Sequence, residues 1–167
     1  MPVTFTKIQA TTLTSAQSTI DFQNIPATYT DLVLRFSTRG GTGSNWANIT
    51  INNGAYDAAN MKHILLFGTT TLAQAYDFFR IPNNAGDSGS NLFSNGEIYL
   101  TNYAGSNNKT MIGNGVQPSN AGPTAEIQIS GFRWAFTSAI NRLTVFVDGG
   151  GDFAIGSSVS LYGIKKD

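Results

Sequence analysis

Cysteine is missing from this 167-residue chain, and histidine occurs once, at position 63. Without cysteine there is no disulfide framework, no thiol nucleophile and no Cys-ligated zinc. Charge is scarce as well. Asp, Glu, Lys and Arg make up 12% of the residues, about half the usual share of roughly 25%. Ten cations balance ten anions, so the formal net charge is zero. No basic field exists to hold nucleic-acid phosphates, and no nucleic-acid partner is expected. The longest apolar run, 64–67, falls far short of membrane length, so no membrane partner is expected either. The opening MPVTFTKIQ has no basic segment followed by an apolar stretch, unlike a signal peptide.

What is present is enough for a core. Hydrophobic residues make up 41%, and the length suits one domain over 1–167. Low net charge with 11% aromatics argues against disorder. A surface so weakly charged associates readily, which suits a component of an assembly.

The period is two nearly everywhere. In 31–37, Leu32, Leu34 and Phe36 alternate with Asp31, Val33, Arg35 and Ser37. Ala47, Ile49 and Ile51 alternate with Trp46, Asn48 and Thr50, and Ile98 and Leu100 with Glu97, Tyr99 and Thr101. Leu143, Val145 and Val147 alternate with Arg142, Thr144 and Phe146. This is the pattern of half-buried antiparallel strands. Gly-, Asn- and Ser-rich turns separate them, at 39–45, 52–54, 82–91, 94–96, 104–108, 118–123 and 148–152. Many short strands between such turns predict an all-β fold, an antiparallel jelly-roll-like β-sandwich with little helix. Residues 57–66 read equally as one or two helical turns or as a strand over 62–67. In 125–136 the parity breaks. Ile127 and Ile129 share one face and Phe132, Trp134 and Phe136 the other, which predicts a bulge or a crossing between sheets at Gly131.

Candidate chemistry is thin. Gly86-Asp87-Ser88-Gly89 with His63 and Asp77 stands in the order of a His, Asp, Ser triad. The three residues fall within 26 positions, too close for a site spread over two barrels, and the set reads as a turn beside an unrelated His. His63 sits among Met61, Lys62, Ile64 and Leu65, with no carboxylates to complete a metal site. Asp148 and Asp152 flank three glycines and could offer oxygens to calcium, but the spacing is not that of an EF-hand and a glycine hairpin explains it. Gly40-Gly41-Thr42-Gly43 lacks the Lys-Ser/Thr of a phosphate loop. Asn48-Ile49-Thr50 and Asn108-Lys109-Thr110 match the glycosylation acceptor by chance. No catalytic residue, metal or cofactor is expected. The aromatics carry more. Tyr76, Phe78, Phe79, Phe132, Trp134 and Phe136 lie where both strand parities hold large apolar groups. They are the candidate oligomer interface, the alternative being strands buried on both faces.

Two passages carry a resemblance. Residues 18–36, STIDFQNIPATYTDLVLRF, read as an edge strand, a Pro-marked turn and a clean alternating strand, and SSVSLYGIKKD closes the chain with a last strand. With the Gly-rich turn before it, this organisation resembles the β-sandwich virion proteins of tailed phages, specifically in 18–36 and 140–166. The resemblance implies a homotrimer on the outer surface of the head. It would be a decoration or cement protein that binds the major capsid protein lattice. The alternative it implies is a tail or fibre module that binds a host-surface glycan. It implies no catalytic residues.

Overall fold

A computed structural model describes residues 4–41, 46–53, 61–67, 72–76, 79–83, 91–118 and 126–165, with the backbone alone at 4, 61–67, 72–76 and 126. Of the described residues, 62% are strand and 3% helix, far from the 30–35% helix of an ordinary domain. Twelve strands follow in order: β1 (Thr4–Thr12), β2 (Thr19–Phe22), β3 (Asp31–Thr38), β4 (Trp46–Ile51), β5 (Met61–Phe67), β6 (Leu72–Tyr76), β7 (Phe79–Pro82), β8 (Ser94–Thr101), β9 (Lys109–Gln117), β10 (Glu126–Trp134), β11 (Leu143–Val147) and β12 (Ser158–Lys165). A 3-10 turn at Asp148–Gly150 follows β11.

All pairings between these strands are antiparallel, and they build two sheets. The larger has eight strands, β1-β12-β3-β8-β9-β10-β5-β6, and the smaller four, β2-β11-β4-β7. The expected all-β class is therefore what the chain adopts, with the strands divided eight and four. The edge strand expected after residue 18 is β2, at one edge of the smaller sheet. Of the ambiguous stretch 57–66, the described residues belong to the strand β5, and 57–60 lie outside the described residues.

Alternation placed the core. Leu32, Leu34 and Phe36 of β3, Ile49 and Ile51 of β4, and Leu143 and Val145 of β11 are all buried between the sheets. Leu34 and Leu161 sit directly opposite in the β3–β12 ladder, as do Leu34 and Ile98 in β3–β8. Val33, on the opposite face of β3, is buried as well. Its ladder partners there are Tyr162 and Tyr99, whose rings suffice to cover a valine between them.

Glycine sets how closely β7 meets the larger sheet. A Cβ at Gly113 would come within 2.9 Å of the Phe79 ring, and one at Gly115 within 2.7 Å of the Pro82 ring. With hydrogen at both positions, Phe79 reaches across to Phe132 edge-to-face, with centroids 5.6 Å apart and planes at 76°. β7 therefore lies under β8, β9 and β10. The rest of the smaller sheet runs the other way, since Ile49 of β4 and Leu143 of β11 pack with Leu32, Leu34 and Leu161. Among the described residues, β5 and β6 extend past the smaller sheet's β7 edge, and β6 is the last strand of the larger sheet.

The bulge expected at Gly131 is absent. β10 stays in continuous register with β9 and β5 from Gln128 to Trp134. The parity break has another cause: Gln128 and Ser130 take the inner positions, and Ile127 and Ile129 face outward.

Candidate assembly surface

The polar clusters are cross-strand braces. Asp21 of β2 lies opposite Thr144 of β11. The Arg142 guanidinium grips its carboxylate with Nε at 2.8 Å and Nη2 at 2.7 Å, and Thr144 Oγ1 donates at 2.8 Å. The Arg142 hydrogen bond holds the Asp21 carboxyl down at about 2, against the opposing effect of partial burial. Asp31, buried at the start of β3, accepts from Tyr99 Oη at 2.6 Å and from the Asn102 amide at 2.8 Å. Asp148 accepts from Arg80 Nη2 at 3.2 Å and Asn48 Nδ2 at 3.1 Å. Both of its oxygens thus serve protein donors. Gly149 and Gly150 adopt the expected positive φ, but 148–152 leads from β11 of the smaller sheet to β12 of the larger, so it is a connection between sheets and not the expected hairpin.

Two buried groups carry no sequence signal. Lys109 is fully buried at the start of β9, and burial pushes its ammonium pKa down. Its Nζ donates to the carbonyls of Gly105 and Asn107, the latter at 2.6 Å, and clasps the turn before β9. Tyr103 Oη donates to the Pro26 carbonyl and accepts from the Tyr29 amide at 3.4 Å, tying the turn after β8 to that before β3. Burial raises the Tyr103 pKa. These residues hold turns; they present nothing to a ligand.

The six aromatics chosen from the sequence divide. Phe79, Phe132 and Trp134 are 1%, 4% and 6% exposed within a single chain. Neither sequence reading holds for Phe132 and Trp134: β10 is covered on its inner face, where they lie, and leaves Ile127 and Ile129 exposed on the other. The three aromatics have no surface to give a partner, because the strand parity that carries them faces inward. Phe136 is 36% exposed and packs its ring 4.8 Å from that of Trp134. Phe78 and the side chain of Tyr76 lie outside the described residues, as do Asp77, Ser88 and the side chain of His63. Among the described residues no three His, Cys, Asp or Glu side chains gather as metal ligands would.

The surface that remains lies on the outer face of β9 and β10. Ile112 is 68% exposed, Val116 42%, Ile127 59% and Ile129 58%. Register makes them neighbours: Val116 stands opposite Ile127, Ile112 opposite Gly131, and Ile129 opposite Asn114. Beneath them, the inward positions of the same strands hold Gly113, Gly115, Gln128 and Ser130. Gln128 donates to the Arg80 carbonyl and to Ser130 Oγ, both at 2.6 Å. Over this stretch the ordinary order is reversed, with aliphatic side chains in water and polar or vanishing ones inside. A readable signal existed. In β9, KTMIGNGVQ, glycine occupies one parity and Ile112 and Val116 the other.

On the same face a polar group lies toward β1. Arg35 Nε donates to Glu97 Oε2 at 2.7 Å, and its guanidinium sits 5.8 Å from the Phe5 ring centroid and 5.6 Å from that of Tyr162. Phe5 is 51% exposed. No protein-family model matches this chain, and neither does any curated protein or solved structure.

Proposed function

We propose that this chain is a structural protein of a tailed-phage virion. In this reading it is a homotrimeric decoration or cement protein on the outer surface of the head, where it binds the major capsid protein lattice and stabilises it. The observation that carries the reading is the reversed face of β9 and β10. Four β-branched aliphatics lie in water on a chain with few charges and no net charge. Contiguous exposed apolar surface of this kind marks an interaction site, and an isolated soluble domain gains nothing from it. The likeness of residues 18–36 and 140–166 to phage sandwich proteins supports the choice of assembly. The role is architectural rather than catalytic. The test is the copy number of this chain in purified virions, measured by quantitative mass spectrometry. Hundreds of copies per particle support decoration of the head.

One observation favours a second reading, a tail or fibre module that binds a glycan. Phe5 offers an exposed ring beside the Arg35–Glu97 pair, and sugars stack on aromatic faces while their hydroxyls pair with such groups. A few to tens of copies per virion would favour it.

A further inference from the structure

We infer that β1 is a detachable strap. It opens from its N-terminal end as far as Leu13 while the rest of the sandwich stays folded, and the β12 edge it uncovers takes the β1 of a second copy in its place. Neither step needs the virion reading.

Backbone holds the strap more than side chains do. β1, TFTKIQATT, is the first strand of the larger sheet and, among the described residues, pairs with β12 alone. Of its eight side chains from Phe5 to Thr12, six are exposed and none is buried. Its apolar contact with the core is Ile8, itself only partly buried. β12 does not depend on this cover. Val159, Leu161 and Ile164 seat it in the core, and β3 pairs with it on the other side from Ser158 to Ile164. An element with so little buried surface opens at a fraction of the free energy that unfolds the core. The departure of Phe5 strands no charge, because the Arg35 guanidinium keeps Glu97 at 2.7 Å and the Tyr162 ring.

The strap has a defined end. Leu13 is buried, its amide donates to the Ser157 carbonyl, and its carbonyl accepts from the Gly156 amide, both at 2.9 Å. The side chains of 14–19 are exposed again, until Ile20 of β2 enters the core. Leu13 is therefore the fixed point about which 4–12 swings.

Register selects the occupant. Phe5 stands opposite Ile164 and Lys7 opposite Tyr162; the ladder then slips past Ile8, so that Gln9 meets Leu161 and Ala10 meets Ser160. A strand that refills this edge must supply the main-chain bonds, one extra residue at the slip, and an apolar side chain there that reaches the core. A strand in regular register puts its side chains on the wrong faces beyond that point. TFTKIQATT meets all three demands in place. A second copy brings the same strand, so the exchanged state repeats each contact of the closed one, and concentration decides between them.

Two measurements on the full chain test this. Hydrogen exchange read by mass spectrometry compares 4–12 with β3 in the wild type and in Leu34→Ala. The amides of 4–12 that pair with β12 should exchange at least about tenfold faster than those of β3, at a rate that Leu34→Ala leaves unchanged while β3 speeds up. Protection equal to that of β3, or parallel acceleration by Leu34→Ala, overturns the opening. The second measurement places cysteine pairs in the cysteine-free chain at register partners: Ala10→Cys with Ser160→Cys across β1–β12, and Thr101→Cys with Thr110→Cys across β8–β9 as the control. Each protein is incubated at high micromolar concentration, oxidised, and run on a denaturing gel without reductant. Exchange predicts covalently linked copies for the first pair, lost when the protein re-equilibrates at nanomolar concentration before oxidation, and single chains for the control. Thr12→Cys with Ser158→Cys reads the same exchange if circular dichroism shows that the first pair disturbs the fold. Single chains from the β1 pairs at every concentration overturn the exchange, as do linked copies in equal measure from the control.

Discussion

Replacing Leu34 with alanine tests whether alternation and ladder place the core as described. Leu34 is 3% exposed, on the inner face of β3. It borders a cavity of about 10 Å³ between the sheets, with Ile98, Leu100 and Leu161 on its own side and Ile49 and Leu143 opposite. The lining is entirely apolar, so the cavity gives a water no partner and stays dry. Truncation removes three carbons, worth about 2.4 kcal/mol at ~0.8 kcal/mol each. The neighbours are pinned in ladders on both sides and collapse little. A residual void of roughly 70 Å³ at about 24 cal/mol per Å³ adds ~1.7 kcal/mol. The expected loss is therefore about 4 kcal/mol. With an urea slope near 2 kcal/mol/M, the unfolding midpoint falls by about 2 M while the slope holds. Arg35→Ala, one residue along on the exposed face, should cost less than about 1 kcal/mol. A Leu34→Ala loss below about 1 kcal/mol, or one no larger than that of Arg35→Ala, refutes the face assignment, because a one-residue slip exchanges the two.

Three further outcomes follow from the packing. Gly115→Ala pushes a methyl into the Pro82 ring and should lower stability by about 1–3 kcal/mol, read from thermal unfolding; no change would mean that β7 does not cross there. Tyr103→Phe removes the donor to Pro26 and the acceptor for Tyr29, an expected loss of about 1–2 kcal/mol in urea unfolding. For Asp21 the folded pKa is lowered, so its contribution is complete above the ordinary value of 3.8 and is lost as pH falls through about 2. Over that window the wild type should lose on the order of 1–2 kcal/mol more than Asp21→Asn. Parallel stability curves for the two proteins between pH 4 and 2 would contradict the Arg142 brace.

Local alternation made much of the sandwich legible. Leu32, Leu34, Leu143 and Val145 fall inside because each strand has one polar and one apolar parity, and pairing strands need only that. The eight-and-four division was not legible, since sheet order is a matter of long-range pairing. β10 misled for a physical reason. Reading Ile127 and Ile129 as core forces a bulge at Gly131, whereas the ladder keeps Gln128 and Ser130 inside and leaves the isoleucines out. The same assumption, that large aromatics on two parities imply an open face, put Phe79, Phe132 and Trp134 on the surface. The exposed positions are held by aliphatics instead. Lys109 had no signal at all, because lysine is almost never fully buried and the carbonyls of its own turn and of Thr137 make that burial tolerable.

The most direct test of assembly through the reversed face uses the missing cysteine. A single Ile129→Cys substitution gives the chain its only thiol, and Ile155→Cys gives a matched control on an exposed position outside the patch. Thiol labelling is timed at micromolar concentration and again after dilution to nanomolar. The account predicts slow labelling at 129 that becomes fast on dilution, with fast labelling at 155 throughout. Equally fast labelling at both positions in the concentrated protein would contradict it.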